Sequence, residues 1–166
     1  MRILVEGRPI EETEHYGKKV LIDTMIICYA YDPLNPMHGK AKAVMTAALL
    51  GRIHGHVSYQ NLAEFYSIMT GRRVKSPLTP REALRIIEAL VRSRRLIKLV
   101  PANYEEALRH AARLGLRNGD VFDAVLAYTC KGSVDYIWTE NVENFRYYES
   151  FLAVENPLEW RWEVTD

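Results

Sequence analysis

Four acidic residues, Asp23, Glu64, Asp120 and Asp123, have the types and spacing of a carboxylate cluster built from the ends of different secondary elements. Asp23 closes the apolar run Val20-Leu21-Ile22 and precedes Thr24. Glu64 falls in the helical stretch Asn61-Leu62-Ala63-Glu64-Phe65-Tyr66, and Asp120 and Asp123 open the very apolar Gly119-Asp120-Val121-Phe122-Asp123-Ala124-Val125-Leu126-Ala127. Carboxylates beside such runs are costly to bury unless a cation neutralises them. Several converging on one place repel one another and raise each other's pKa. A Mg²⁺ or Mn²⁺ ion removes that repulsion and takes hard oxygen ligands.

Each acid also has a plainer role open to it. Asp23 can start a turn, and Glu64 can sit on a solvated helix face. Asp120 is placed to cap a helix N-terminus, with Asp123 favoured by the helix dipole three residues on. Capping and metal binding do not exclude each other. Other chemistries find less footing. His54 and His56 lack a Cys pair or third His to complete a zinc set. No Ser-His-Asp or Cys-His arrangement stands out as a covalent nucleophile. A phosphatase of the haloacid-dehalogenase type would begin Asp-x-Asp, and Met25 occupies the second of those places.

The elements that must position these acids read as alternating strands and helices. Strands are expected at Arg2–Val5, Lys19–Ile22, His56–Ser58, Leu96–Val100, Tyr136–Trp138 and Phe151–Val154. Helices are expected over 37–50, from a cap near Ser58 to Gly71, from Thr79 to about Arg95, from Asn103 to near Gly115, from Asp120 to about Cys130, and over 141–149. Thr79-Pro80-Arg81-Glu82 is a capping box with proline in the first turn, and Asn103 with Glu106 repeats the logic. Leu62, Phe65, Tyr66 and Met69 fall on one apolar helical face, of which Leu62, Phe65 and Met69 are read as core. Residues 121–130 are apolar almost all round, which predicts a buried helix with Asp123 at its mouth. The pattern predicts an α/β fold of three layers, α/β/α, around a central mainly parallel sheet. Ligands of such sheets bind outside the carboxyl ends of the strands. Asp23 ends one strand, Glu64 follows another by a few residues, and Thr139 follows a third.

In order and spacing these motifs resemble the PIN-domain ribonucleases, the family that includes the VapC toxins of toxin–antitoxin pairs. The matching stretches are Val20-Leu21-Ile22-Asp23-Thr24, Leu62-Ala63-Glu64-Phe65-Tyr66, Asp123-Ala124-Val125-Leu126-Ala127-Tyr128-Thr129 and Trp138-Thr139-Glu140-Asn141-Val142-Glu143-Asn144-Phe145, running from residue 20 to 145. The resemblance implies a PIN-like fold and metal-dependent cleavage of RNA phosphodiester bonds. It makes Asp23, Glu64 and Asp123 the catalytic acids, with Mg²⁺ or Mn²⁺ held by them together with Asp120 and Asn141. An antitoxin protein and a homodimer are the partners it implies. Two departures mark this chain. Met25 stands where a small polar residue is common, and the fourth acid is replaced by Asn141 and Asn144, with Glu140 and Glu143 beside them. Those amides motivate the alternative of a catalytically inactive PIN-like module that binds RNA or a protein.

Composition fits a single domain over 1–166, with 1–18, broken by Gly7, Pro9 and Gly17, as a hairpin or appendage. Apolar residues make up 48% and charged residues 26%, as in a soluble globular chain. No apolar run is long enough to span a bilayer, and the N-terminus lacks a signal-peptide core. Cys28 and Cys130 read as buried free thiols of a reducing compartment, so a cytoplasmic location is expected. Net charge is only +1, so polyanion binding must come from local patches. Residues 72–98 offer one: Arg72, Arg73, Lys75, Arg81, Arg85, Arg92, Arg94, Arg95 and Lys98, against Glu82 and Glu88. A solvated helix face explains the same run. Tyr29, Tyr31, Tyr59 and Tyr66 are the aromatics available to stack on bases, with core packing the simpler role for each.

Overall fold

The apolar runs at Lys19–Ile22 and Tyr136–Trp138 become neighbouring central strands because both faces of each must be covered. The computed structural model describes all of residues 1–166. In chain order the elements are β1 (Arg2–Val5), β2 (Arg8–Pro9), β3 (Lys19–Ile22), α1 (Thr24–Ala30), α2 (His38–Leu49), β4 (His54–Ser58), α3 (Tyr59–Met69), α4 (Pro80–Arg92), β5 (Ile97–Leu99), α5 (Tyr104–Leu114), α6 (Gly119–Cys130), β6 (Tyr136–Trp138), α7 (Val142–Phe145), β7 (Ala153–Glu155) and β8 (Trp162–Thr165), with short 3₁₀ turns at Ile10–Glu12, Arg146–Tyr148 and Pro157–Glu159.

Five strands form a wholly parallel sheet in the order β5-β4-β3-β6-β7. Side chains alternate across β3: Val20 and Ile22 enter one apolar core and Leu21 the other. The strand is thus buried on both faces, as a central parallel strand must be. The first core holds residues of α1–α4 and the second residues of α5–α7. This is the three-layer α/β/α architecture the pattern predicts. Gly55 of β4 lets α2 approach closely, since a Cβ there would lie 2.6 Å from the Ala48 Cβ. No helix is long and apolar enough to cross a membrane.

The N-terminal segment is tied to the far end of the chain. β1 pairs antiparallel with β2 and with β8, in register Arg2↔Thr165 to Val5↔Trp162. Ile3, Val5, Ile10 and Trp162 are buried in the first core.

Local chemistry explains most boundaries. Thr79 and Glu82 make the expected reciprocal cap on α4, and Ser58 with Asn61 does the same for α3. Other expectations need correction. α1 lies where no helix was expected, with Asp23 as its cap. Asp120 does not cap α6: the helix begins at Gly119, Asn118 occupies the cap position, and Asp120 sits in the first turn. Asn103 precedes α5 in a left-handed conformation, and its amide donates to the Tyr128 carbonyl rather than capping. The helix expected over 141–149 is one short turn of α-helix followed by a 3₁₀ turn.

Candidate metal centre

The switch in strand order falls between β3 and β6, because the chain moves from β3 outward to β5 and then returns to β6 on the other side of β3. A crevice opens at the carboxyl ends of strands at such a point. Asp23 leaves β3 there and Thr139 leaves β6, joined across the gap by the Asp23 amide donating to the Trp138 carbonyl at 3.0 Å. A cavity of about 840 Å³ lies at this rim. Asp23, Glu64, Asp120, Asp123 and Asn141, from four regions of sequence, all line it.

Three of the four acids are held by specific donors. Asp23 Oδ1 accepts from the Thr24 amide at 2.8 Å, the capping bond of α1, while Oδ2 accepts from the Thr139 hydroxyl at 2.8 Å. Glu64 reaches in from the second turn of α3. Its Oε2 accepts from the Thr24 hydroxyl at 3.2 Å and its Oε1 from the Gln60 amide at 2.8 Å. Thr24 is itself held by the Asn61 amide at 2.9 Å. Asp123 Oδ2 accepts from the Asn144 amide at 3.0 Å. Thr24 and Gln60 thus lock two acids that are 41 positions apart into one frame. Asn141 contributes differently from expectation, in that its backbone N–H donates to the Thr139 hydroxyl at 3.0 Å.

The electrostatics are unbalanced toward negative charge. None of the ion pairs in the molecule involves Asp23, Glu64, Asp120 or Asp123. Burial pushes Asp23 above the usual carboxylate range, opposed by its bonds to Thr139 and Thr24 and reinforced by Glu64. Burial pushes Asp123 up to about 7, with Asn144 opposing and Asp23, Glu64 and Asp120 reinforcing. No three His, Cys, Asp or Glu side chains stand close enough to form a finished metal cage, so the acids share a cavity rather than a coordination sphere. The donor set nonetheless fits a hard divalent cation. It consists of carboxylate and amide oxygens, and none of the carboxylates is in an ion pair, although Arg72 and Arg73 line the same cavity.

Other expected residues fall in and out of the site. Of the nine basic residues between 72 and 98, Arg72 and Arg73 line the cavity. Lys98 instead donates its ammonium to the carbonyls of Ser93 and Leu96, and Arg92 pairs with Glu88. None of the four tyrosines lines the acidic cavity. Tyr31 packs edge-on against Phe65, and the Tyr29 hydroxyl donates to Glu140 at 2.6 Å. The helix expected to be buried all round leaves Phe122 61% exposed on the cavity wall. Gln60 and Asn61 were not singled out by the sequence. The spacing of Gln60 four residues before Glu64 was the available signal. Nothing in the sequence marked Phe122. His56 is buried and bonded through Nδ1 to the His54 carbonyl, away from the cavity.

A chain of the VapBC2 complex from Rickettsia felis, bound to a DNA fragment from their promoter, superposes with a TM-score of 0.55 at 20% identity, covering 86% of this chain and 98% of that one. A chain of FitAcB from Neisseria gonorrhoeae superposes with a TM-score of 0.53 at 21% identity, over 83% and 97% of the two chains. A third match, in FitAB bound to an IR36 DNA fragment, has a TM-score of 0.51 at 20% identity, over 84% and 95%. The fold is PIN-like. No protein-family model and no curated protein sequence matches the chain.

Proposed function

We propose that this chain is a metal-dependent endoribonuclease, the toxin of a toxin–antitoxin pair. The observation that carries the reading is the shared cavity: acids from the end of β3, from α3 and from α6 line one space, and none of them is in an ion pair. The PIN-like fold, shared with chains of VapBC2 and FitAB complexes, supports it. The acids in the cavity favour the nuclease side of such a pair.

Asp23, Glu64 and Asp123 would hold the ion, with Asp120 adding negative field and Asn141 or Asn144 an amide oxygen. A Mg²⁺ or Mn²⁺ ion supplies polarisation of the scissile phosphate and a bound water of lowered pKa. The protein's own work is positioning. Thr24, Thr139, Gln60 and Asn144 aim the carboxylate oxygens before any ligand arrives, so little reorganisation is needed. Arg72 and Arg73, on the same wall, are placed to attract the phosphates that flank the cut. A cysteine nucleophile is not required and not available: both thiols are buried, and burial pushes Cys28 up to about 12. The protein partners of the reading are an antitoxin and a second copy of the chain, and its location is the cytoplasm.

Incubation of the protein with RNA and Mg²⁺ or Mn²⁺ tests the assignment. Cleavage is expected to require the ion and to be lost in Asp23→Asn and Asp123→Asn. Full cleavage by both variants would overturn it. One finding favours a second reading. Asn141 and Asn144 stand where a fourth acid is expected, and no finished cage is present. RNA binding without turnover at any concentration of either ion would identify a binding module.

A further inference from the structure

An exposed phenylalanine is out of place among polar groups. Phe122 is 61% exposed, one residue before Asp123, on the wall of the acidic cavity. Its neighbours there are mostly polar: five of the eighteen lining residues are hydrophobic. The ring buries little of its own area, so core packing does not account for it. Its backbone is pinned. The Gln60 amide donates to the Phe122 carbonyl at 3.1 Å and to Glu64 Oε1 at 2.8 Å, which ties the position of Phe122 to an acid of another helix. Arg72 and Arg73 line the same cavity.

We propose that Phe122 is a stacking platform for an unpaired base of single-stranded RNA, set beside the acids so that a neighbouring phosphate enters the cavity. The inference rests on the nuclease reading and names the form of its substrate. An aromatic face beside cations is the combination that binds unpaired nucleotides through stacking and backbone attraction. A duplex keeps its bases stacked on one another, so the ring gains nothing from it. A protein-docking hot spot would sit at the centre of an apolar patch, whereas thirteen of the eighteen residues lining this cavity are not hydrophobic.

The test measures binding of the full chain in EDTA, where cleavage does not interfere, by fluorescence anisotropy. The probes are an octauridylate, the same oligonucleotide with abasic sites, and an RNA duplex of equal length. Phe122→Ala is expected to weaken octauridylate binding by ~5- to 150-fold, the range that base–aromatic stacking supplies. Phe122→Trp is expected to keep or improve it. The wild type is expected to lose affinity for the abasic probe, while Phe122→Ala no longer distinguishes the two. Equal affinity of wild type and Phe122→Ala for octauridylate, equal losses on duplex and single strand, or no RNA binding at all would overturn the proposal. A Phe122→Ala variant that binds octauridylate as the wild type does, while Asp123→Asn abolishes ion-dependent cleavage, sinks the platform and leaves the nuclease. Phe122-dependent binding without any cleavage does the reverse.

Discussion

Replacing Asp123 with asparagine should make the metal-free protein more stable at pH 8. Burial and the fields of Asp23, Glu64 and Asp120 push its carboxyl from 3.8 up to about 7, against the favourable bond from Asn144. At 1.36 kcal/mol per pH unit, that distance corresponds to about 4 kcal/mol of penalty on the ionised form. The side chain is only half-buried, so solvent screens the interaction and about 2 kcal/mol is the figure to expect. The sign follows from linkage. A carboxyl raised in the folded state binds a proton that the unfolded chain has already released. Its contribution is therefore fully present below 3.8, declines between 3.8 and about 7, and is gone above that. Asparagine keeps an oxygen for the Asn144 amide and carries no charge. For a chain of this length the gain amounts to about 4–8 °C in Tm at pH 8. Thermal unfolding in EDTA at pH 8 and pH 4 measures it, and the gain should vanish at pH 4. A lowered Tm at pH 8, or equal gains at both pH values, would refute the electrostatic argument. Added Mn²⁺ should raise the Tm of the wild type and have little effect on the variant.

Three other outcomes test separate parts of the structure. Thr139→Val removes the donor to Asp23 Oδ2 and should weaken Mn²⁺ binding by about 10- to 100-fold, measured by titration calorimetry, with the fold intact by circular dichroism. Glu155→Gln should lower stability by about 1–3 kcal/mol in urea unfolding. Lys18, only 8% exposed, then loses its 3.0 Å ion pair, and Trp138 Nε1 loses a charged acceptor. Gly55→Ala should cost about 1–3 kcal/mol in the same assay, because the new methyl would sit 2.6 Å from the Ala48 Cβ between β4 and α2.

What could be read from the residues depended on how local the determining chemistry was. The cap of α4 was legible because Thr79, Pro80 and Glu82 lie within one turn of each other. β3 was legible because a central parallel strand must be apolar on both faces. α1 escaped notice because its seven residues are buried at five positions, leaving no polar face to show a period. β8 escaped because its partner, β1, lies at the other end of the chain. The positions of Asp23, Glu64 and Asp123 were visible as acids at element ends, but the frame that holds them was not. The bond from Thr24 to Glu64 spans 40 residues, and that from Thr139 to Asp23 spans 116. The misplacement of Asp120 has a small cause. α6 starts one residue earlier than expected, and Asn118 takes a positive φ of 53° to admit it.

The pairing of Arg2 with Thr165 has a mechanical consequence. Paired residues of an antiparallel ladder lie about 5 Å apart, so a tether attached to both ends pulls across the ladder rather than along it. Load then meets the hydrogen bonds of β1 and β8 one after another, like a zip, and reaches the parallel sheet only after the small one has parted. In an optical trap the chain should open in two events, the first at low force. The same proximity lets a short peptide close the molecule into a ring without disturbing the rim where the acids stand.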